Sequence, residues 1–131
     1  MRSRKGFTLL ELLIISIILG ILLVVAIPQY MQSVDKARAS RVKGNLEEIR
    51  EVSMAIHSAT GDWPGDLTSG GGSGEVAIDA DLDGDDEADV SLSFTDDNYD
   101  YSISGSTVTA AASGTGPTFT MDLTTGEITE D

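Results

Sequence analysis

The stretch from residue 7 to residue 27, FTLLELLIISIILGILLVVAI, contains 21 residues and a single charge, that of Glu11. An apolar run of this length can cross the hydrocarbon core of a bilayer as a helix. A carboxylate inside such a run costs about 2.5–3.5 kcal/mol on insertion scales. So costly a charge predicts that Glu11 has a partner.

The residues before this run are basic: Arg2, Arg4 and Lys5 lie among the first six. A positive flank predicts that the N-terminus stays in the cytoplasm. The sequence LLVVAIPQYMQS (22–33) lacks the small-residue cleavage pattern of a secretory signal, so we expect the apolar run to be retained. A simple signal anchor tethering a small domain is the alternative interpretation.

The next segment, residues 28–60, has the pattern of an amphipathic helix. Its apolar residues recur every three or four positions and predict one buried stripe: Met31, Val34, Ala37, Val42, Leu46, Ile49, Val52, Ile56 and Ala59. No turn separates this segment from the apolar run, so residues 7 to about 60 are predicted to form one helix. Gly20 and Pro28 predict a kink or an unwound stretch between them. The sequence TGDWPGD (60–66) predicts the end of the helix.

The remaining chain has the pattern of short strands. TSGGGSG (68–74) is typical of a flexible loop, and five segments then favour strands: VSLSF (90–94), YDYSIS (99–104), TVTAAA (107–112), TFTMDL (118–123) and EIT (127–129). A small antiparallel sheet with one apolar face needs a cover, which the helix stripe provides. The predicted fold class is therefore α+β, a long N-terminal α-helix whose second half packs on a small antiparallel β-sheet.

Charge is distributed unevenly in this 131-residue chain of formal net charge −14. No Lys or Arg follows Arg50, whereas 18 acidic residues do. Such a surface repels phosphate backbones, so direct nucleic-acid binding by the C-terminal half is not expected. The chain has no cysteine, which excludes disulfides, thiolate metal sites and a cysteine nucleophile.

The segment RKGFTLLELL (4–13), the apolar run and IPQY (27–30) together resemble the start of a type IV pilin. The pseudopilins of type II secretion systems begin in the same way. The resemblance covers about residues 1–60; beyond them only the order of elements is similar. It implies four regions: a prepilin leader (1–6), a transmembrane and filament-core helix (7–27), the amphipathic helix (28–60) and an acidic β-sheet head (61–131), called the head below.

The resemblance also implies roles for individual residues. A prepilin peptidase would cleave between Gly6 and Phe7 and methylate the new amino group of Phe7. The Glu11 carboxylate would then pair with the Phe7 amine of a neighbouring copy during assembly. Gly20 and Pro28 would mark the part of the helix that stretches on assembly.

The family implies a structural subunit of a type IV pilus, serving adhesion, motility or DNA uptake; a pseudopilin that drives protein export is the alternative. The implied partners are further copies of the chain, the prepilin peptidase, an assembly platform and the inner membrane. The implied location is the bacterial inner membrane with a cytoplasmic N-terminus before assembly, and an extracellular pilus or a periplasmic pseudopilus afterwards. No cofactor is required by this reading.

The acidic stretch DADLDGDDEAD (79–89) resembles the first nine positions of an EF-hand calcium loop. Carboxylates at alternate positions can converge on one ion where a glycine permits the turn. The candidate calcium ligands are Asp79, Asp81, Asp83, Asp85 and Glu87, with Asp96, Asp97 and Asp100 as further donors from the next turn. Val90 stands where a bidentate acid is expected, so a solvated acidic loop is the alternative.

The residue types of catalytic sites are sparse in this sequence. His57 is the single histidine, which favours a structural or exposed role over a metal ligand. Trp63 and Tyr30 are interpreted as packing residues. No Ser–His–Asp arrangement or phosphate-binding loop is visible, so an enzyme is not expected.

Overall fold

The computed structural model describes residues 6–65, 68–69, 75–82 and 88–131. Its first element is the α-helix α1, Leu9–Thr60. By their internal contacts the residues fall into two compact units, which divide within this helix between Ala39 and Ser40. The helix is continuous through Gly20 and Pro28, so the unwound stretch predicted between them is absent from the free chain.

The first unit has no core of its own among its described residues. Every Phe, Leu, Ile and Val from Phe7 to Ile27 is exposed, from 41% at Ile15 to 87% at Leu9. This part of α1 is also long and apolar enough to cross a membrane, with a mean hydropathy of 3.1. An exposed apolar surface of this size is typical of contact with lipid or protein.

The second half of α1 is buried along one face. The buried residues are spaced by three or four positions, as a helix stripe requires: Val42, Leu46, Ile49, Ser53 and Ile56. The predicted stripe was too long, because Met31, Ala37 and Ala59 are exposed. It was also wrong at one position, since Ser53 is fully buried and Val52 only partly.

Two antiparallel sheets follow the helix. The first has the order β1-β2-β3 and the second the order β4-β5-β6-β7. Their strands are β1 (Thr68–Ser69), β2 (Glu75–Ala80), β3 (Val90–Thr95), β4 (Tyr99–Ser104), β5 (Thr107–Ala112), β6 (Phe119–Asp122) and β7 (Ile128–Glu130). The predicted α+β fold is thus confirmed, with one long N-terminal helix packed against small antiparallel sheets.

The division into two sheets was not predicted. The five strands expected from residue 90 onward are present, but β1 lies in the segment predicted to be a flexible loop, and β2 was not predicted. The strand β2 pairs with β3 over its whole length, with Ile78 opposite Leu92. Val76 and Ile78 are buried and alternate along β2. This short alternation was not recognised as a strand because β2 overlaps the start of the acidic stretch.

Glycines at tight turns set the register of the second sheet. Gly105, with a φ of 59°, begins the two-residue connection between β4 and β5, and Gly126, with a φ of 76°, lies between β6 and β7. A positive φ is costly for residues with a Cβ, which explains glycine at both turns. The sheet buries large side chains against the helix stripe: Tyr101, Val108, Phe119, Met121 and Leu123.

Candidate processing, assembly and docking sites

The N-terminus of α1 is closed by a reciprocal cap. The Thr8 hydroxyl accepts a hydrogen bond from the Glu11 backbone N–H at 3.2 Å. In return, the Glu11 carboxylate accepts from the Thr8 backbone N–H and hydroxyl, each at 3.5 Å. This is a capping box, which satisfies two orphan donors of the first turn. The pattern Thr-x-x-Glu at residues 8–11 is the sequence signal of such a cap, which was not predicted.

The cap keeps the predicted cleavage position outside the helix. Gly6, Phe7 and Thr8 precede α1, and Phe7 is 71% exposed. No atom lies within 4 Å of the position that a Gly6 Cβ would occupy. The peptide bond between Gly6 and Phe7 is thus accessible in the free chain.

Glu11 is exposed on the apolar segment. The two ion pairs among the described residues do not include it. Among the described residues its carboxylate therefore contacts only the donors of its own cap. The predicted partner, the Phe7 amine of a neighbouring copy, remains a prediction. Gly20, also predicted to act in assembly, has no atom within 4 Å of its Cβ position.

The second half of α1 is fastened to the head by a polar cluster around Asp96. This carboxylate is 2% exposed and lies between β3 and β4, where one sheet gives way to the other. One of its oxygens is 3.0 Å from Arg41 Nη2, and the other accepts from the Tyr101 hydroxyl at 2.9 Å. Asn45 Nδ2 donates to the Tyr101 hydroxyl at 3.0 Å and to Asp96 at 3.3 Å. We call these four residues the Asp96 clamp.

The clamp is set within an apolar surrounding. The Phe94 ring meets the Tyr101 ring edge-on, with centroids 5.3 Å apart. Burial raises the pKa of Tyr101 well above its usual range, so the phenol remains a hydrogen-bond donor at neutral pH. Asp96 was predicted as a supplementary calcium donor, but in the free chain its oxygens are engaged by the clamp. One of them also accepts from the Asn98 backbone N–H at 3.1 Å.

Further contacts fasten the helix to the second sheet. Arg50 Nε donates to the Leu123 carbonyl at 3.0 Å. Lys43 lies 3.8 Å from Glu130 and 5.6 Å from the centre of the Phe119 ring. The sequence spacing predicts charge pairs within the helix: Asp35–Arg38, Glu47–Arg50 and Lys43–Glu47. This prediction was wrong, because the two ion pairs among the described residues join the helix to the head. Exposed pairs within a helix contribute little and are easily replaced by tertiary partners.

The acidic stretch is described only in part. Asp79 is exposed in β2, and Asp81 is exposed just after it. The other three candidate ligands, Asp83, Asp85 and Glu87, lie outside the described residues. Within the described ranges no group of three metal-binding side chains occurs, and the calcium site stays a prediction. Nearby, Asp89 accepts from the Leu82 backbone N–H at 2.9 Å.

The end of α1 is ordered by an aromatic stack. The His57 and Trp63 rings are parallel, with centroids 4.1 Å apart. Gly61, with a φ of 84°, donates its N–H to the His57 carbonyl and closes the helix. A packing role for Trp63 is confirmed, but Tyr30 is 72% exposed and packs against nothing in the free chain.

Comparison with known proteins provides independent evidence on the N-terminal part of the chain. Residues 1–27 match the model of the prokaryotic N-terminal methylation motif. The chain is 46% identical over 46 residues to a type IV major alpha-pilin of Moraxella bovis, which is 35% of this chain and 29% of the relative. It is 38% identical over 68 residues to a fimbrial protein of Neisseria meningitidis, 52% of this chain and 40% of the relative.

A secretion protein is similar as well. The chain is 40% identical over 48 residues to the type II secretion system core protein G of Pseudomonas aeruginosa, 37% of this chain and 34% of the relative. The chain thus spans less than half the length of each of these relatives. No solved structure matches. The N-terminal part of the chain is therefore similar to type IV pilins and to a type II secretion protein.

Proposed function

We propose that this chain, which begins as members of the type IV pilin and pseudopilin family begin, is a structural subunit of a type IV pilus and not an enzyme. The main support for this proposal is the exposed apolar surface of residues 7–27, which lies within the stretch that matches the N-terminal methylation motif. Such a surface suits lipid in a membrane-anchored precursor and, after extraction, the core of a filament.

Maturation is the first step of the proposal. A prepilin peptidase cleaves the accessible bond between Gly6 and Phe7 on the cytoplasmic side and methylates the Phe7 amine. Cleavage removes the three cations of the leader, Arg2, Arg4 and Lys5. It leaves one amine four residues from Glu11.

Assembly follows from the charge that remains in the apolar segment. A carboxylate in hydrocarbon is tolerated when it has a partner, and the Phe7 amine of a neighbouring copy provides one. One such pair per copy fixes the axial register of the helices. Head-to-tail contacts that do not close generate an open helical polymer.

The test changes the charge of Glu11 and its capping ability separately. Glu11→Ala removes both, whereas Glu11→Gln retains an acceptor that completes the cap. We expect both variants to be processed and inserted normally, because the insertion cost falls, and neither to form filaments. Electron microscopy of sheared surface fibres and the mass of the mature subunit are the measurements. Wild-type amounts of fibre from Glu11→Ala would contradict the proposed assembly mechanism.

A pseudopilin of a type II secretion system is the second candidate, favoured by the similarity to core protein G. In that case the filament would be short and periplasmic. Deletion of the gene would then block protein export, and exoproteins would remain in the cell. Long surface fibres built from this chain would exclude it. Neighbouring genes for a secretin and secretion components, without those for pilus retraction, would favour it.

A further inference from the structure

We infer that Lys36 and Arg38 bind the acidic heads of two neighbouring copies of this chain. The inference rests on the proposed filament and adds to it a contact outside the apolar core. It begins from the charge distribution: five cations, all between residues 36 and 50, follow the leader, and 18 acidic residues come after the last of them. Heads of this composition repel one another when they are brought together.

Three of the five cations are engaged within the chain. Arg41 contacts Asp96, Lys43 contacts Glu130, and Arg50 donates to the Leu123 carbonyl. Lys36 and Arg38 are exposed and have no hydrogen bond or ion pair with any described residue. They are therefore the side-chain cations left for a partner.

The head offers carboxylates of matching availability. Exposed acidic residues are found on its loops and strands in the described ranges: Asp62, Asp79, Asp97, Asp100, Glu127 and Asp131. No cation of the head itself can neutralise them, because none follows Arg50. Charge complementarity thus favours a second copy as the occupant.

Helix geometry assigns the two cations to different neighbours. Residues two positions apart on an α-helix point roughly 200° apart around its axis, so Lys36 and Arg38 lie on nearly opposite sides of α1. A partner on one side of α1 contacts one of the two cations, and a copy surrounded by others in a filament has a partner on each side. An anionic lipid surface is the competing occupant.

Chemical cross-linking of purified filaments tests the inference directly. A carbodiimide couples a lysine amine to a carboxylate in contact with it but does not couple arginine. We expect the wild-type chain to give covalent dimers in which Lys36 is joined to residues 61–131 of another copy. Lys36→Arg should lose this product, and Lys36→Arg with Arg38→Lys should give dimers through residue 38. Lys43, 3.8 Å from Glu130, provides the intrachain coupling that controls for reagent activity.

Assembly yield is the second measurement. Lys36→Gln with Arg38→Gln should reduce filament per mature subunit roughly fivefold, as loss of two exposed ion pairs implies, whereas Lys36→Arg should assemble normally. Wild-type yield from the neutral variant, or absence of the Lys36 dimer while the Lys43–Glu130 product forms, would overturn the inference. A smaller membrane pool with unchanged conversion to filament would assign the cations to lipid and would also overturn it. Failure of the wild-type chain to form any filament would instead contradict the proposed function itself.

Discussion

The two halves of α1 use the same residue types in opposite environments. Leu19 is 54% exposed, whereas Leu46, on the same helix, is fully buried. The second half packs on sheets encoded later in the same chain, whereas the apolar residues of the first half are exposed. Apolar composition therefore forms a core only where the chain supplies a covering surface, and elsewhere it creates a demand for lipid or for further copies.

The strongest test of this difference is a pair of identical truncations. Leu46→Ala should lower the free energy of unfolding of the second unit by about 2–5 kcal/mol, since it opens a cavity in a packed core. Leu19→Ala should change it by less than about 0.5 kcal/mol. Chemical denaturation of the mature chain in detergent micelles, followed by far-UV circular dichroism, measures both. Equal effects would show that the two halves are not energetically separate.

The Asp96 clamp provides a polar counterpart to that test. Asp96→Ala should lower the free energy of unfolding by about 2–3 kcal/mol, because it leaves the buried Tyr101 hydroxyl without its acceptor and Arg41 without its carboxylate. Asp97→Ala, at the exposed neighbouring position, is the matched control and should be nearly neutral. A neutral result at Asp96 would mean that apolar packing alone fastens the helix to the head.

Calcium binding would change the comparison between the two halves of α1, because a bound ion would stabilise the folded head. If Asp79, Asp81 and Asp83 bind one ion, a hundredfold excess over Kd stabilises the folded form by about 2.7 kcal/mol. The mature chain should then melt higher in millimolar calcium than in chelator, and magnesium should do less.

The control for the calcium prediction is ionic strength. Asp81→Ala with Asp83→Ala should abolish the calcium effect. An equal gain in sodium chloride of matched ionic strength would indicate screening of an acidic surface and no specific site.

A smaller effect is expected where a sheet turn meets the helix. Gly126 has a positive φ, and a Cβ there would lie 3.1 Å from Arg50 Nε. Gly126→Ala should cost about 1–2 kcal/mol of unfolding free energy through backbone strain and displacement of Arg50. Gly114→Ala, where a Cβ meets open space, is the control for a change in glycine content. If the two substitutions are equally tolerated in thermal unfolding, the turn is adaptable.

The smallest effect concerns the first half alone. Thr8→Ala removes the N-cap hydroxyl and should destabilise the first turn of α1 by about 1 kcal/mol, as cap removal does elsewhere. Amide hydrogen exchange in micelles should show faster exchange around Glu11 and no change in the second unit. Altered exchange at Leu46 would mean that the two units are coupled through the helix.

Much of this architecture follows from periodicity. Alternation predicted strands β3 to β7, and the three-to-four spacing predicted the buried face from Val42 to Ile56. The length of the stripe was overestimated because Met31 and Ala37 have the right spacing but are exposed. Periodicity records which face is apolar and does not record where its partner ends.

The polar contacts were less predictable than the apolar ones. The Asp96 clamp joins residues separated by 51 and 56 positions, and nothing local distinguishes Asp96 from the exposed Asp97 beside it. The capping box differs, since both its members lie within four residues. Local signals of this kind can be found in a sequence, whereas a carboxylate buried by tertiary contacts cannot be told from a solvated one.

The capping box also bears on whether assembly can run backwards. In the free chain the Glu11 carboxylate has the Thr8 donors, and in the proposed filament it would exchange them for the amine of a neighbour. Contacts of 3.5 Å are weak, so an incoming amine has little to displace. A copy that leaves the filament regains its own cap and does not return a bare carboxylate to the membrane. The cap thus favours departure of a copy from the filament, while its weak contacts add little to the barrier for entry.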